Sequence, residues 1–184
     1  MTPILGIWAS QNYTRYQLPT SYDSIATATP SGTGTVTFSS IPSTYTHLQI
    51  RGIFSASVAS RNVVIRFNSD TGTNYAWHEL IGNGTTASAS AGTSSTVMYV
   101  ASAANTTSNL NPCAFIIDIL DYANTSKYKT IRTLDGADIN GSGNIALDSG
   151  LWMNTSAITS ISVNLNSGNY QTGSHIALYG IKGA

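Results

Sequence analysis

Few side chains in this 184-residue chain are suited to acid–base, nucleophilic or metal chemistry. Glu79 is the sole glutamate, and Asp118 and Asp121 lie on and just after the run AFIIDIL. A glycoside hydrolase needs two carboxyl groups flanking one sugar, and nothing in the order of residues brings Glu79 to either aspartate. His47, His78 and His175 fall in three separate β-rich runs. Lone strand histidines are more often surface or hydrogen-bonded residues than metal ligands. The single cysteine, Cys113, rules out an intramolecular disulfide. Its place at the entry to AFIIDIL makes it a small buried hydrophobe.

Motif patterns add no chemistry. No G-x-S-x-G elbow, H-E-x-x-H, C-x-x-C, P-loop or dinucleotide fingerprint occurs. The stretch DINGSGNIALDS (138–149) imitates a calcium loop at Asp138, Asn140 and Ser142. The twelfth position is Ser149 instead of glutamate, and neither flank reads as a helix, so a turn between two strands is the better reading. N-x-S/T at Asn12, Asn83, Asn105, Asn124 and Asn154 is expected by chance in a chain so rich in Asn, Ser and Thr. Without the charged start and long apolar centre of a secretory signal, no glycans are assigned. The expectation is a non-enzymatic protein with no catalytic residue, no cofactor and no metal.

Two apolar clusters are the remaining candidates for function. In NYAWHELIG, Tyr75 and Trp77 share a strand face; they could stack on a sugar, but packing in the core or against a subunit is the stronger reading. Trp152 and Tyr179 invite the same core reading. In ILGIWASQN, the side chains of Ile4, Leu5, Ile7 and Trp8 precede any recognisable strand. Terminal residues are loose unless something ties them down, so these four are candidate assembly contacts; the alternative is an extra edge strand on the protein's own domain.

Composition bounds the positioning scaffold. Apolar residues make up 41%, but charged residues only 9%, against roughly a quarter in typical soluble proteins. Ser, Thr, Asn and Gly fill the difference, giving a surface that is cheap to desolvate and repels its own copies weakly. Net charge is zero, with eight scattered Lys and Arg. No basic stripe exists for nucleic acid or a membrane surface, and no apolar run has the length of a transmembrane helix.

The chain length fits one buried core plus a tail. Helical periodicity is nearly absent, and short β-rich runs replace it. Strands are expected near 22–29, 34–39, 47–56, 62–68, 75–82, 96–101, 114–120, 128–135, 145–152, 158–165 and 175–181. THLQIRGIF and ITSISVNL alternate as half-buried strands do. AFIIDIL is apolar almost throughout and should be central, with Asp118 bonded to backbone amides or to Arg132. The polar stretches 83–95 and 102–111 read as exposed loops, and the last strand should pair near the first. These elements predict an all-β, jelly-roll-like antiparallel β-sandwich over residues 21–184, preceded by an extended N-terminal arm over 1–20.

The succession SIPSTYTHLQIRG (40–52), IRFNSDTGTNYAWHELIGNG (65–84), IDILDYANTSKYKTIRTLDG (117–136), SGLWMNTSAITSI (149–161) and ALYGIKG (177–183) resembles a group of tailed-bacteriophage virion structural proteins. The likeness runs from about Tyr22 to Gly183 and carries no catalytic motif. It implies a β-sandwich displayed on the particle: a capsid decoration or cement protein, or a tail or fibre component with a host-glycan receptor-binding sandwich. The expected location is the virion, assembled in the host cytoplasm and exposed on the particle surface. Expected partners are the major capsid protein or tail proteins and further copies of this chain, with a trimer as one arrangement. Nucleic acid and membrane are not expected partners.

Overall fold

The computed structural model describes residues 21–58, 61–103, 108 and 110–183. The expected arm over 1–20, with Ile4, Leu5, Ile7 and Trp8, lies outside the described residues. Twelve strands form: β1 (Tyr22–Ala28), β2 (Thr35–Phe38), β3 (His47–Phe54), β4 (Arg61–Phe67), β5 (Tyr75–Gly82), β6 (Ala87–Ser95), β7 (Met98–Ala103), β8 (Cys113–Leu120), β9 (Lys129–Asp138), β10 (Gly143–Trp152), β11 (Ile161–Leu165) and β12 (His175–Ile181). No described residue is helical.

Two antiparallel sheets pack as a sandwich. The larger runs β1-β12-β3-β8-β9-β10-β5-β6 and the smaller β2-β11-β4-β7. Eight of these strands pair as nested antiparallel couples, β1 with β12, β2 with β11, β3 with β8 and β4 with β7. That nesting is the jelly-roll order. The remaining strands are two inserted hairpins, β5–β6 and β9–β10, which join side by side through β5 and β10. They lengthen only the larger sheet, so it overhangs the smaller one.

Each of the eleven expected strands has a counterpart, and the last strand does pair with the first. The expected loop at 83–95 is a correction: only Asn83–Thr86 turn, and Ala87–Ser95 is β6. Its ASASAGTSS sequence is almost wholly exposed, so no buried face marks it as a strand. AFIIDIL is central as expected, between β3 and β9. It is not buried on both faces: Phe115, Ile117 and Ile119 point inward while Ala114 and Leu120 are exposed.

The core follows from alternation. Leu48, Ile50, Ile117, Ile119, Ile161, Val163 and Leu178 are buried between the sheets. Phe54 meets Phe115 and Tyr170 edge-on, each at 5.8 Å between ring centroids. Gly52 is required here, because a β-carbon on it would overlap the Phe115 ring. The DINGSG segment is a two-residue hairpin turn: Asn140 and Gly141 both have positive φ, and the Ile139 amide donates to the Ser142 carbonyl at 2.8 Å. Asn-Gly with two left-handed residues is the turn whose twist matches a β-hairpin.

Candidate functional site

The overhang carries the chemistry, because both of its faces depart from an ordinary sandwich. On the inner face, one row of cross-strand neighbours begins apolar at Leu178, Ile50 and Ile117. It continues as Thr133, Asp148, Glu79 and Ser90. The change occurs where the smaller sheet ends at β7, which packs under β9, β10 and β5. There Asp148, Glu79 and Ser90 share the edge of the covering layer with Tyr99 and Ala101 of β7, and the inner face turns polar.

A cavity of about 350 Å³ lies at that edge, lined by Asn62, Trp77, Glu79, Tyr99, Asp148 and neighbouring small residues. The Trp77 and Tyr99 rings stand 5.1 Å apart and tilted by 55°. Trp77 is held in place by Gly92 of β6, whose missing β-carbon leaves the space the indole fills. Glu79 lies directly opposite Asp148 in register and accepts a hydrogen bond from the Ser90 hydroxyl at 2.8 Å. Asp148 accepts one from Thr133 at 2.6 Å. Burial pushes the Asp148 carboxyl up to about 6 and the Glu79 charge adds to the rise, while hydrogen bonds with Thr133 and Asp135 oppose it. Such a cavity offers aromatic walls and carboxylate acceptors to a polyhydroxylated ligand.

The pairing of Glu79 with Asp148 had no signal in the sequence, because β5 and β10 are neighbours only through the joining of two separate hairpins. Tyr75 and Trp77 do share the inward face, but they separate in role. Tyr75 is fully buried, its hydroxyl accepting the Phe67 amide at 3.1 Å. It is a core residue rather than a ligand contact. Trp77 alone reaches the cavity.

The outer face of the same overhang carries an apolar band, bordered by the polar row Arg132, Ser149 and His78. Ile116, Leu134, Leu147, Leu80 and Ala89 are successive cross-strand neighbours over five strands. Ile145 lies in the next row on that face, between Gly136 and Gly82. Leu80, Leu134, Ile145 and Leu147 are 53%, 44%, 60% and 54% exposed. They surround a hollow of about 250 Å³ with no charged residue in its lining. The signal for this surface was present in the sequence as apolar residues on both faces of AFIIDIL and in the leucines at 80, 134 and 147. Without the strand order it reads as burial rather than exposure.

Of the other candidate residues His78 lies on the overhang, exposed on its outer face one row from Leu80. His47, His78 and His175 lie on β3, β5 and β12. Among the described residues no group of three His, Cys, Asp or Glu is placed to hold a metal ion. His47 Nδ1 accepts the Asp121 amide at 2.9 Å, and Lys127 pairs with the Asp121 carboxylate. Asp118 is bonded by Gln49 Nε2 at 2.6 Å. Arg132, its expected partner, lies opposite in register but donates to the Ile131 carbonyl at 2.9 Å. Cys113 is buried, and burial pushes its thiol up to about 12. Trp152 is a core residue whose indole N–H donates to Asp70 at 2.8 Å. Tyr179 stacks at a tilt on Tyr22, 4.9 Å away.

No family model, no curated protein and no solved structure matches this chain.

Proposed function

We propose that this chain is a non-enzymatic structural protein of a tailed-phage particle, a decoration or cement protein that grips the capsid or a neighbouring subunit through Ile4, Leu5, Ile7 and Trp8. The observation that carries the reading is the leucine ladder on the outer face of the larger sheet. A contiguous exposed apolar patch marks a surface that is covered in use, and the 9% charge content lowers the cost of covering it. The phage assignment rests on the resemblance of the sequence segments. Quantitative mass spectrometry of purified particles tests it. The full chain is expected at hundreds of copies per particle, falling at least tenfold when residues 2–12 are deleted from a chain whose circular dichroism is unchanged. Undiminished occupancy contradicts the arm.

The cavity beside Trp77 favours a second reading, a tail or fibre component that binds a host glycan. Aromatic walls at Trp77 and Tyr99 with acceptors at Glu79 and Asp148 suit a sugar ring. A glycan array decides it: binding lost in Trp77→Ala with the fold retained supports this role, and no binding by the parent chain removes it.

A further inference from the structure

The outer-face hollow has no covering element among the described residues, the N-terminal apolar cluster lies outside them, and the topology relates the two. The chain enters the larger sheet at β1, one edge of it, where the Lys182 amide fixes the Ser21 carbonyl at 3.0 Å. Leu147 and Ile145 sit on β10, five strand intervals away, about 24 Å at ordinary strand spacing. The two sites also lie at opposite ends. Tyr22 stands opposite Ile181 and His47, in line with the end of the sheet that holds Leu151. From there β1 runs toward the row of Ala146, so Ser21, the first described residue, lies at the Leu151 end, the end away from Leu147 and Ile145. Residues 9–20 span at most about 40 Å when extended, which reaches an adjacent molecule without having to reverse over the protein's own sheet.

The chemistries match. Residues 4–8 are ILGIW, and the first charge in the chain is Arg15. The receiving hollow is lined by Leu80, Ile81, Leu134, Ile145, Leu147 and small residues, with no ionised group to desolvate. We propose that residues 4–8 of one copy seat on the outer face of the larger sheet of a second copy, with Trp8 in the hollow between Leu80, Leu134, Ile145 and Leu147. The inference rests on reading residues 1–20 as an assembly arm, and it names the arm's receiver. Donor and receiver surfaces differ, so two copies exchanging arms close a dimer, and a one-way contact generates a ring when its rotation closes.

Mixed-chain cross-linking of the full-length protein tests this. One copy carries Trp8→Cys and the other Leu147→Cys; Leu147 is 54% exposed, so its replacement leaves the core untouched. Under mild oxidation the mixture is expected to give an inter-chain disulfide dimer that neither variant gives alone. Leu147→Asp is expected to weaken self-association at least tenfold in sedimentation, with Leu147→Ser as the milder control for folding. A chain carrying both cysteines that links only within itself shows the arm folded back on its own sheet and overturns the proposal. So does a parent chain that is monomeric and does not cross-link. In that case particle occupancy that still depends on residues 2–12 keeps the arm and transfers its receiver to another virion protein, whereas occupancy independent of them removes the arm itself.

Discussion

Glu79 and Asp148 face each other in register across β5 and β10, two carboxyls on the inward face of a sheet at the point where its covering layer ends. Burial raises Asp148 to about 6 from an ordinary 3.8, so the folded protein holds this proton more tightly than the unfolded chain. Stability from this group is full below about pH 4 and is lost as pH rises through about 6. Asp148→Asn keeps the acceptor for Thr133 and removes the charge. The variant is expected to melt with the parent at pH 4 and about 2–6 °C above it at pH 7.5. Calorimetry across that range checks it, and a constant offset at all pH values contradicts it.

Asp70 runs the opposite way. Its carboxylate accepts the Trp152 indole N–H at 2.8 Å, the Asn74 amide at 2.9 Å and the Gly72 backbone N–H at 2.8 Å. The Asn74 and Trp152 bonds lead in holding it below its ordinary value, so its contribution is present above about pH 4 and lost as pH falls through the lowered folded value. Asp70→Ala leaves a buried indole donor unsatisfied and is expected to cost about 1–3 kcal/mol in urea unfolding at pH 7, with the loss shrinking toward pH 3.

Gly92 makes room for Trp77, and Gly52 for Phe115. Gly52→Ala lies in the shared core of the two sheets and is expected to destabilise by about 1–3 kcal/mol. Gly92→Val lies on the exposed edge strand and is expected to leave most of the stability while displacing the indole. Tryptophan fluorescence reads the displacement as a red shift; unchanged emission contradicts the packing of Trp77 on β6.

How much of this was legible in sequence depended on whether burial had imprinted it. Leu48 and Ile50 against His47, Gln49 and Arg51, and Ile161, Val163 and Leu165, alternate because one side of each strand is dry. Strand β6 was missed because neither of its sides is dry, leaving only small residues that also suit a loop. Asp148 went unnoticed because its partner Glu79 lies 69 residues away in sequence and Thr133 lies 15 residues away across a turn, and such pairing is invisible to local pattern. The outer ladder was half-seen: AFIIDIL showed apolar residues on both faces, but apolar content alone does not say whether the second face is covered by the same chain.

Leu80→Ser with Leu147→Ser is expected to lower unfolding free energy by only about 1–2 kcal/mol, the worth of one half-exposed cross-strand leucine pair. The same pair is expected to lower binding of an apolar dye severalfold. A large loss of stability shows instead that these leucines belong to the core.

Backbone hydrogen exchange on purified particles tests the central claim most directly, because it reads whether the outer face of the larger sheet is covered in use. Amides of β5, β9 and β10 are compared between the particle-bound and isolated protein. The account expects protection concentrated on these strands, at least tenfold over the isolated chain, with the turn at Asn140–Gly141 little changed. Equal exchange in both samples, with the protein present on the particle, contradicts it.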